Sequence, residues 1–99
     1  MKNLYKVLVS ILFIATFGFS QTTYVPDDNF EQALIDLGYD DTLDDYVLTA
    51  NISGVTTLNV SNDSISDLTG IEGFTALDTL DCSSNQLTAL DVSSNTSLT

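Results

Sequence analysis

Leu80 to Asn95 read LDCSSNQLTALDVSSN, so the hexapeptide Leu-Asp-x-Ser-Ser-Asn is written twice, ten residues apart. A longer period contains it. Val55-x-x-Leu58-x-Val60-x-x-Asp63-x-Ile65-x-x-Leu68 matches Leu77-x-x-Leu80-x-Cys82-x-x-Asn85-x-Leu87-x-x-Leu90 position by position, twenty-two residues later. Five of the six marked positions are apolar in both copies, and the sixth is Asp63 in one and Asn85 in the other. Leu98 stands as the first letter of a third copy, twenty-one residues after Leu77. A fixed period of this length marks a solenoid, whose units cannot bury their apolar faces alone and therefore stack.

Within one period the pattern divides into two parts. Leu80 and Cys82 alternate with Thr79, Asp81 and Ser83, the period of two that sends one set of side chains inward and the other outward from a strand. Ile65, Leu68, Ile71, Phe74 and Leu77 instead recur at every third residue, as on a 3₁₀-like return path where side chains at i and i+3 eclipse. The doubled hexapeptide then places Leu80, Cys82, Asn85 and Leu90, Val92, Asn95 on two extended sides of one coil. Asn at each corner can bond nearby backbone groups and satisfy peptides that the bend leaves unpaired. A ligand contact is the functional alternative for these asparagines.

The motif L-x-x-L-x-L-x-x-N-x-L resembles the leucine-rich repeat. Ile65 to Leu90, ISDLTGIEGFTALDTLDCSSNQLTAL, is similar to internalin-type repeats, and LDCSSNQLTALDVSSNTSL is similar to secreted leucine-rich repeat proteins of the Bacteroidetes. The resemblance spans about Val55 to Thr99. Upstream, YVPDDNFEQALIDLGYDD resembles the N-terminal capping segment that such proteins often carry. An α/β leucine-rich repeat solenoid is implied, with a capping helix, about two coils, a short parallel sheet and 3₁₀ or extended returns.

The residues upstream support a cap on their own chemistry. Asp28, three residues before Glu31, gives a capping-box-like start to a helix over about 28–37, with Phe30, Ala33, Leu34 and Leu37 on one face and Gly38 as the stop. Leu43-x-x-Tyr46-x-Leu48-x-x-Asn51 echoes the repeat, but Tyr46 is only twelve residues before Leu58, too short for a full coil. A capping strand over about 44–50 is expected instead, turning through Asn51 to Gly54, with antiparallel pairing open to it.

The first twenty residues read as a targeting segment. Lys2 and Lys6 make a basic start, Val7 to Phe19 is almost wholly apolar, and Gly18 and Ser20 are small residues placed for cleavage before Gln21. At about 1.5 Å of rise per residue the apolar run falls well short of the roughly 30 Å hydrocarbon core, so a signal peptide is expected rather than a membrane anchor. The domain plan is therefore signal peptide 1–20, capping segment 21–54 and repeats 55–99. The repeats are expected to be truncated, with further coils of the same chain beyond Thr99.

Removing that segment leaves no Lys, Arg or His, while all 14 acidic residues remain. Such a charge excludes nucleic acid, whose phosphates need basic residues, and anionic membrane surfaces. No stable membrane span is expected after cleavage, and the location is secreted, extracellular or at the cell surface. Cys82, the single cysteine, cannot form an internal disulfide and reads as a small buried hydrophobe where Val60 stands one coil earlier.

Catalytic chemistry finds no support: there is no His, no phosphate-cradling glycine loop, and the acids fall on strand exteriors and turns. No cofactor is implied. Asp40, Asp41, Asp44 and Asp45 could offer oxygen ligands to Ca²⁺, but they lack a glycine-punctuated calcium loop and read as a solvated loop, so no metal site is assigned. Asn51, Asn59, Asn62 and Asn95 head N-x-S/T triplets, and Asp41-Thr42-Leu43, Asp63-Ser64-Ile65 and Asp78-Thr79-Leu80 resemble O-glycosylation sites of Bacteroidetes secreted proteins. The reading is a non-catalytic protein-interaction module using the exposed strand face, Thr57, Asn59, Ser61, Thr79, Asp81 and Ser83, for an unnamed protein or surface ligand. The alternative is a spacer or stalk carrying an enzyme or adhesive domain elsewhere in the protein.

Overall fold

Two small sheets frame the chain in a computed structural model that describes residues 21–99. The segment read as a signal peptide lies outside the described residues. In chain order the elements are strand β1 (Thr22–Tyr24), helix α1 (Asp28–Asp36), strand β2 (Tyr46–Leu48), helix α2 (Thr49–Ile52), strand β3 (Thr57–Asn59), the 3₁₀ turn η1 (Ile71–Gly73) and strand β4 (Thr79–Asp81).

Helix α1 forms because its ends are satisfied and one face is apolar. Asp27 is the N-cap, its Oδ1 accepting from the Asn29 N–H at 2.9 Å and the Phe30 N–H at 3.0 Å. At the other end the Gly38 N–H reaches the Ile35 carbonyl and the Tyr39 N–H the Leu34 carbonyl, with Gly38 at φ +91°, a left-handed stop that only glycine adopts without strain. Phe30, Ala33 and Leu34 are buried. The capping box expected at Asp28 and Glu31 is not what forms. The cap sits one residue earlier, and Glu31 turns away from the helix start to accept from the Asp44 and Asp45 N–H groups.

The cap strand differs from the expected 44–50 segment. Strand β2 pairs antiparallel with β1 (Thr22 opposite Leu48, Thr23 opposite Val47, Tyr24 opposite Tyr46), and Thr49 and Ala50 already belong to α2. Thr23 and Val47 face inward, while Tyr46, Leu48 and Leu43 are exposed. The leucine-like echo at 43, 46 and 48 is thus out of phase with the core by one residue. Pairing with β1 sets this phase, and a shift of one residue swaps the faces of a strand.

Strands β3 and β4 pair parallel, Thr57 with Thr79, Leu58 with Leu80 and Asn59 with Asp81. The offset is the twenty-two-residue period. Between them, Ile65, Leu68, Ile71, Phe74 and Leu77 are buried and merge with Val25, Phe30, Leu34, Val47 and Ile52 of the cap into one core. The Phe30 and Phe74 rings, 6.4 Å apart and roughly parallel, join α1 to the return path. Gly70, at φ +111°, lets that path approach β1: a Cβ there would lie 2.7 Å from Val25 Cγ2 and 2.9 Å from the Tyr24 carbonyl oxygen.

The second extended side expected over Leu90 to Asn95 is only partly realised. No strand is assigned there, Leu90 is 48% exposed, and Val92 is half-buried. Leu80 and Cys82 are also half-buried, packed against the edge of the core rather than inside it. Leu80 is the central residue of β4 and Cys82 follows its end, and among the described residues β4 pairs with β3 alone.

Candidate functional site

Asn85 explains why the repeat carries asparagine at its corner. Its Oδ1 accepts from the Asp63 N–H at 2.9 Å and the Ile65 N–H at 3.0 Å, in the preceding coil. Its Nδ2 donates to the Val60 carbonyl at 2.7 Å and to the Cys82 carbonyl at 3.0 Å. One side chain therefore satisfies backbone groups of two coils. Asn95, 3% exposed, donates to the Ile71 and Phe74 carbonyls at 2.8 and 3.0 Å. Both are structural corners.

The exposed strand face is built as the alternation requires. Leu58 and Val60 are buried, and their neighbours Thr57 and Asn59 point outward beside Thr79 and Asp81 on β4. The ladder continues past the strands through the Val60 N–H to the Asp81 carbonyl at 2.9 Å and the Asn62 N–H to the Ser83 carbonyl at 3.0 Å. Ser61 and Ser83 thereby flank the same two rows. Ser61 is half-buried, whereas Ser83 is exposed.

These polar groups are partly engaged with each other. Asn59 Oδ1 accepts from the Ser61 N–H at 3.0 Å and the Ser61 hydroxyl at 2.7 Å. Asp81 Oδ1 takes the equivalent pair from Ser83 at 3.1 and 2.7 Å, and Asp91 repeats the arrangement with Ser93. The Ser83 hydroxyl and N–H hold the Asp81 carboxyl below its usual range, as Ser93 does for Asp91. The face therefore offers ordered acceptors, anionic at neutral pH at Asp81.

The cap holds the features that sequence reasoning missed. Asp27, besides capping α1, uses Oδ2 to accept from the Ser66 and Asp67 N–H groups at 2.9 and 3.0 Å, tying the cap to the first return path. The helix start expected at Asp28 rests on Glu31 three residues later and takes no account of Asp27. Tyr24 and Tyr46 pair in the open with ring centres 5.4 Å apart and planes tilted by 45°, 49% and 46% exposed. A cleft of about 380 Å³ beside them is lined by Tyr39, Asp40, Asp41, Asp44, Tyr46 and Leu48 among others.

The acidic loop considered for calcium folds back on Glu31. Carboxylate oxygens of Glu31, Asp40 and Asp44 lie within 4.8 Å of one another, as do those of Asp28, Glu31 and Asp45. Several already have donors from the chain: Asp40 Oδ1 from the Asp41 N–H, Asp44 Oδ1 from the Tyr46 N–H, and Glu31 from the Asp44 and Asp45 N–H groups. Glu31 is fully buried. Burial, then the adjoining Asp40 carboxyl, pushes its carboxyl up to about 7, against a pull downward from the two backbone donors.

The parallel, in-register stacking of coils has counterparts among known proteins. The chain is 38% identical over 73 residues to internalin J of Listeria monocytogenes, a match covering 74% of this chain and 8% of that protein. It superposes on the functional domain of internalin J, which includes a cysteine ladder, with a TM-score of 0.66 at 38% identity over 81% of the chain. The chain carries an internalin-like leucine-rich repeat fold. An internalin F structure from the same organism matches with a TM-score of 0.68 at 25% identity over 77% of the chain. The CBM51-2 and INT domains of ZmpB from Clostridium perfringens match at 0.68 and 22% identity, a likeness of fold alone. No protein-family model matches. The chain spans 18% of the internalin J structure and 23% of the internalin F structure. No helix among the described residues is long and apolar enough to cross a membrane.

Proposed function

We propose that the chain is part of a secreted or surface-exposed, non-catalytic protein-interaction module, and that its contact surface is the exposed face of β3 and β4. The observation that carries this reading is the in-register parallel pairing, which sets Thr57 beside Thr79 and Asn59 beside Asp81 in two continuous outward rows. Each further coil would extend the same rows. Likeness to internalin J and internalin F supports an interaction role on this scaffold, and the apolar segment before Gln21 supports export. The similarity of residues 80–98 to Bacteroidetes secreted proteins belongs to the same proposal.

The acidic balance fits a protein partner that presents basic groups. Six small polar side chains include none of the aromatic or arginine anchors that dominate most interfaces. The two coils alone should therefore bind weakly, and affinity should grow with the number of coils that share the face. The spacer reading is favoured by one observation, the closure of Asn59 on Ser61 and of Asp81 on Ser83.

Asn59→Arg and Asp81→Arg separate the two. Both place bulk and positive charge on the face without touching the core. A partner recovered in a binding screen of the exported protein should lose at least about tenfold in affinity, roughly 1.4 kcal/mol, with either change. An undiminished partner with the fold intact would place the contact elsewhere and return the strand face to a spacer role.

A further inference from the structure

Glu31 is a carboxyl group with no exposure to solvent, in a segment, residues 21–99, that has no Lys, Arg or His to neutralise it. The carboxyls gathered about it are those of Asp28 from its own helix, and of Asp40, Asp44 and Asp45 from the loop that follows. Its oxygens accept from the Asp44 N–H at 3.1 Å and the Asp45 N–H at 2.8 Å. Asp40 stands against the same group. Its Oδ1 takes the Asp41 N–H at 2.8 Å, but its Oδ2 is buried with no hydrogen-bond partner.

A buried carboxylate oxygen without a donor, next to a buried carboxyl, is costly in either of two ways. It is an unsatisfied acceptor, and if both groups are ionised it faces a like charge in a medium of low dielectric. One hydrogen atom removes both problems. We propose that Glu31 and Asp40 hold a single proton between their carboxyl groups, and that this proton latches the turn after α1 onto the helix in acid and releases it as the medium becomes alkaline.

The chemistry is a simple acid dissociation, with the proton passing to water and a second negative charge left on the pair. The two backbone donors continue to serve ionised Glu31, so the group driven outward is Asp40. That residue sits two after Gly38, and the Tyr39 carbonyl beside it is held by Asn51 Nδ2 at 3.1 Å. Release of Asp40 therefore remodels the cleft lined by Tyr39, Asp40, Asp41 and Tyr46. The upward displacement of the Glu31 carboxyl to about 7, from an ordinary 4.5, agrees with this arrangement. A group raised on folding adds its stabilisation in full below about 4.5 and loses it as pH rises through about 7.

Carbon-detected NMR titration of the side-chain carboxyl carbons in the purified protein tests the latch without any substitution. The Glu31 carboxyl carbon should report a step near neutral pH, and the Asp40 carboxyl carbon should shift together with it, since a coupled pair responds as a unit. Thermal unfolding should agree, the midpoint falling by at least about 4 °C between pH 5 and pH 8. Glu31→Gln supplies a permanent donor toward Asp40, and its midpoint should change by less than half as much over that range. Asp40→Asn should move the neutral step of Glu31 toward acid. Completion of the Glu31 titration below pH 5 would overturn the proposal. So would stoichiometric binding of Ca²⁺ from 1 mM calcium chloride at pH 5, because a cation would then occupy the place assigned to the proton.

Discussion

Substitution of Asn85 by alanine tests whether the corner asparagine holds the coils together. The change removes two acceptor contacts, from the Asp63 and Ile65 N–H groups, and two good donor contacts, to the Val60 and Cys82 carbonyls. A third donor contact, to Ser83 at 3.3 Å, is long and adds little. A buried polar group left unpaired costs about 1 to 3 kcal/mol. Asn85 is half-buried, so water can reach some of the freed groups and the four costs do not add in full. The expected loss is about 2 to 4 kcal/mol, most of what a core of this size supplies. Urea unfolding followed by circular dichroism should show the midpoint lowered by roughly 1 to 2 M with the slope unchanged. Gln86→Ala, at the exposed neighbour, should stay within about 0.5 kcal/mol. A loss below about 0.5 kcal/mol for Asn85→Ala would refute the argument, since it would mean that solvent serves the bend as well as the side chain does.

Two further outcomes follow from burial and from the sequence before Gln21. Leu58 is 1% exposed, so Leu58→Ala should cost about 2 to 5 kcal/mol, while Cys82→Val should be nearly neutral; equal, small costs at the two positions in the same denaturation assay would contradict the strand register. The exported protein should begin at Gln21, and intact mass measurement that finds residues 1–20 still attached would exclude cleavage there.

The repeat was legible in the sequence because it rests on local, periodic information. A strand displays its alternation in every residue, and the offset between equivalent apolar positions gave the twenty-two-residue register that β3 and β4 adopt. Asn85 was legible too, since a turn asparagine at a fixed place in the period points to backbone bonding whatever the partners. Its particular partners, in the preceding coil, were not, because nothing in a linear pattern specifies which backbone groups a bend leaves unpaired.

The cap was read less well, and the failures share a cause. Placing the helix start at Asp28 followed a local rule, the acid three residues on. The structure gives that acid to the Asp44 and Asp45 backbone and gives Asp27 a second task against Ser66 and Asp67, both contacts across long separations. Tyr46 and Leu48 echo the apolar positions of the repeat, and pairing with β1 leaves both exposed. The candidate face stands between these cases. Its six residues were named from alternation alone, while their closure into Asx–Ser pairs depends on the bend after each strand. Sequence by itself determined the period, the core ladder and the charge of this protein, since each is a sum or a repeat over single residues. Tertiary structure alone decided the fate of Glu31 and Asp40, because the meeting of two acids in one buried place depends on how the loop returns to the helix, and that path is set by the packing of the whole cap.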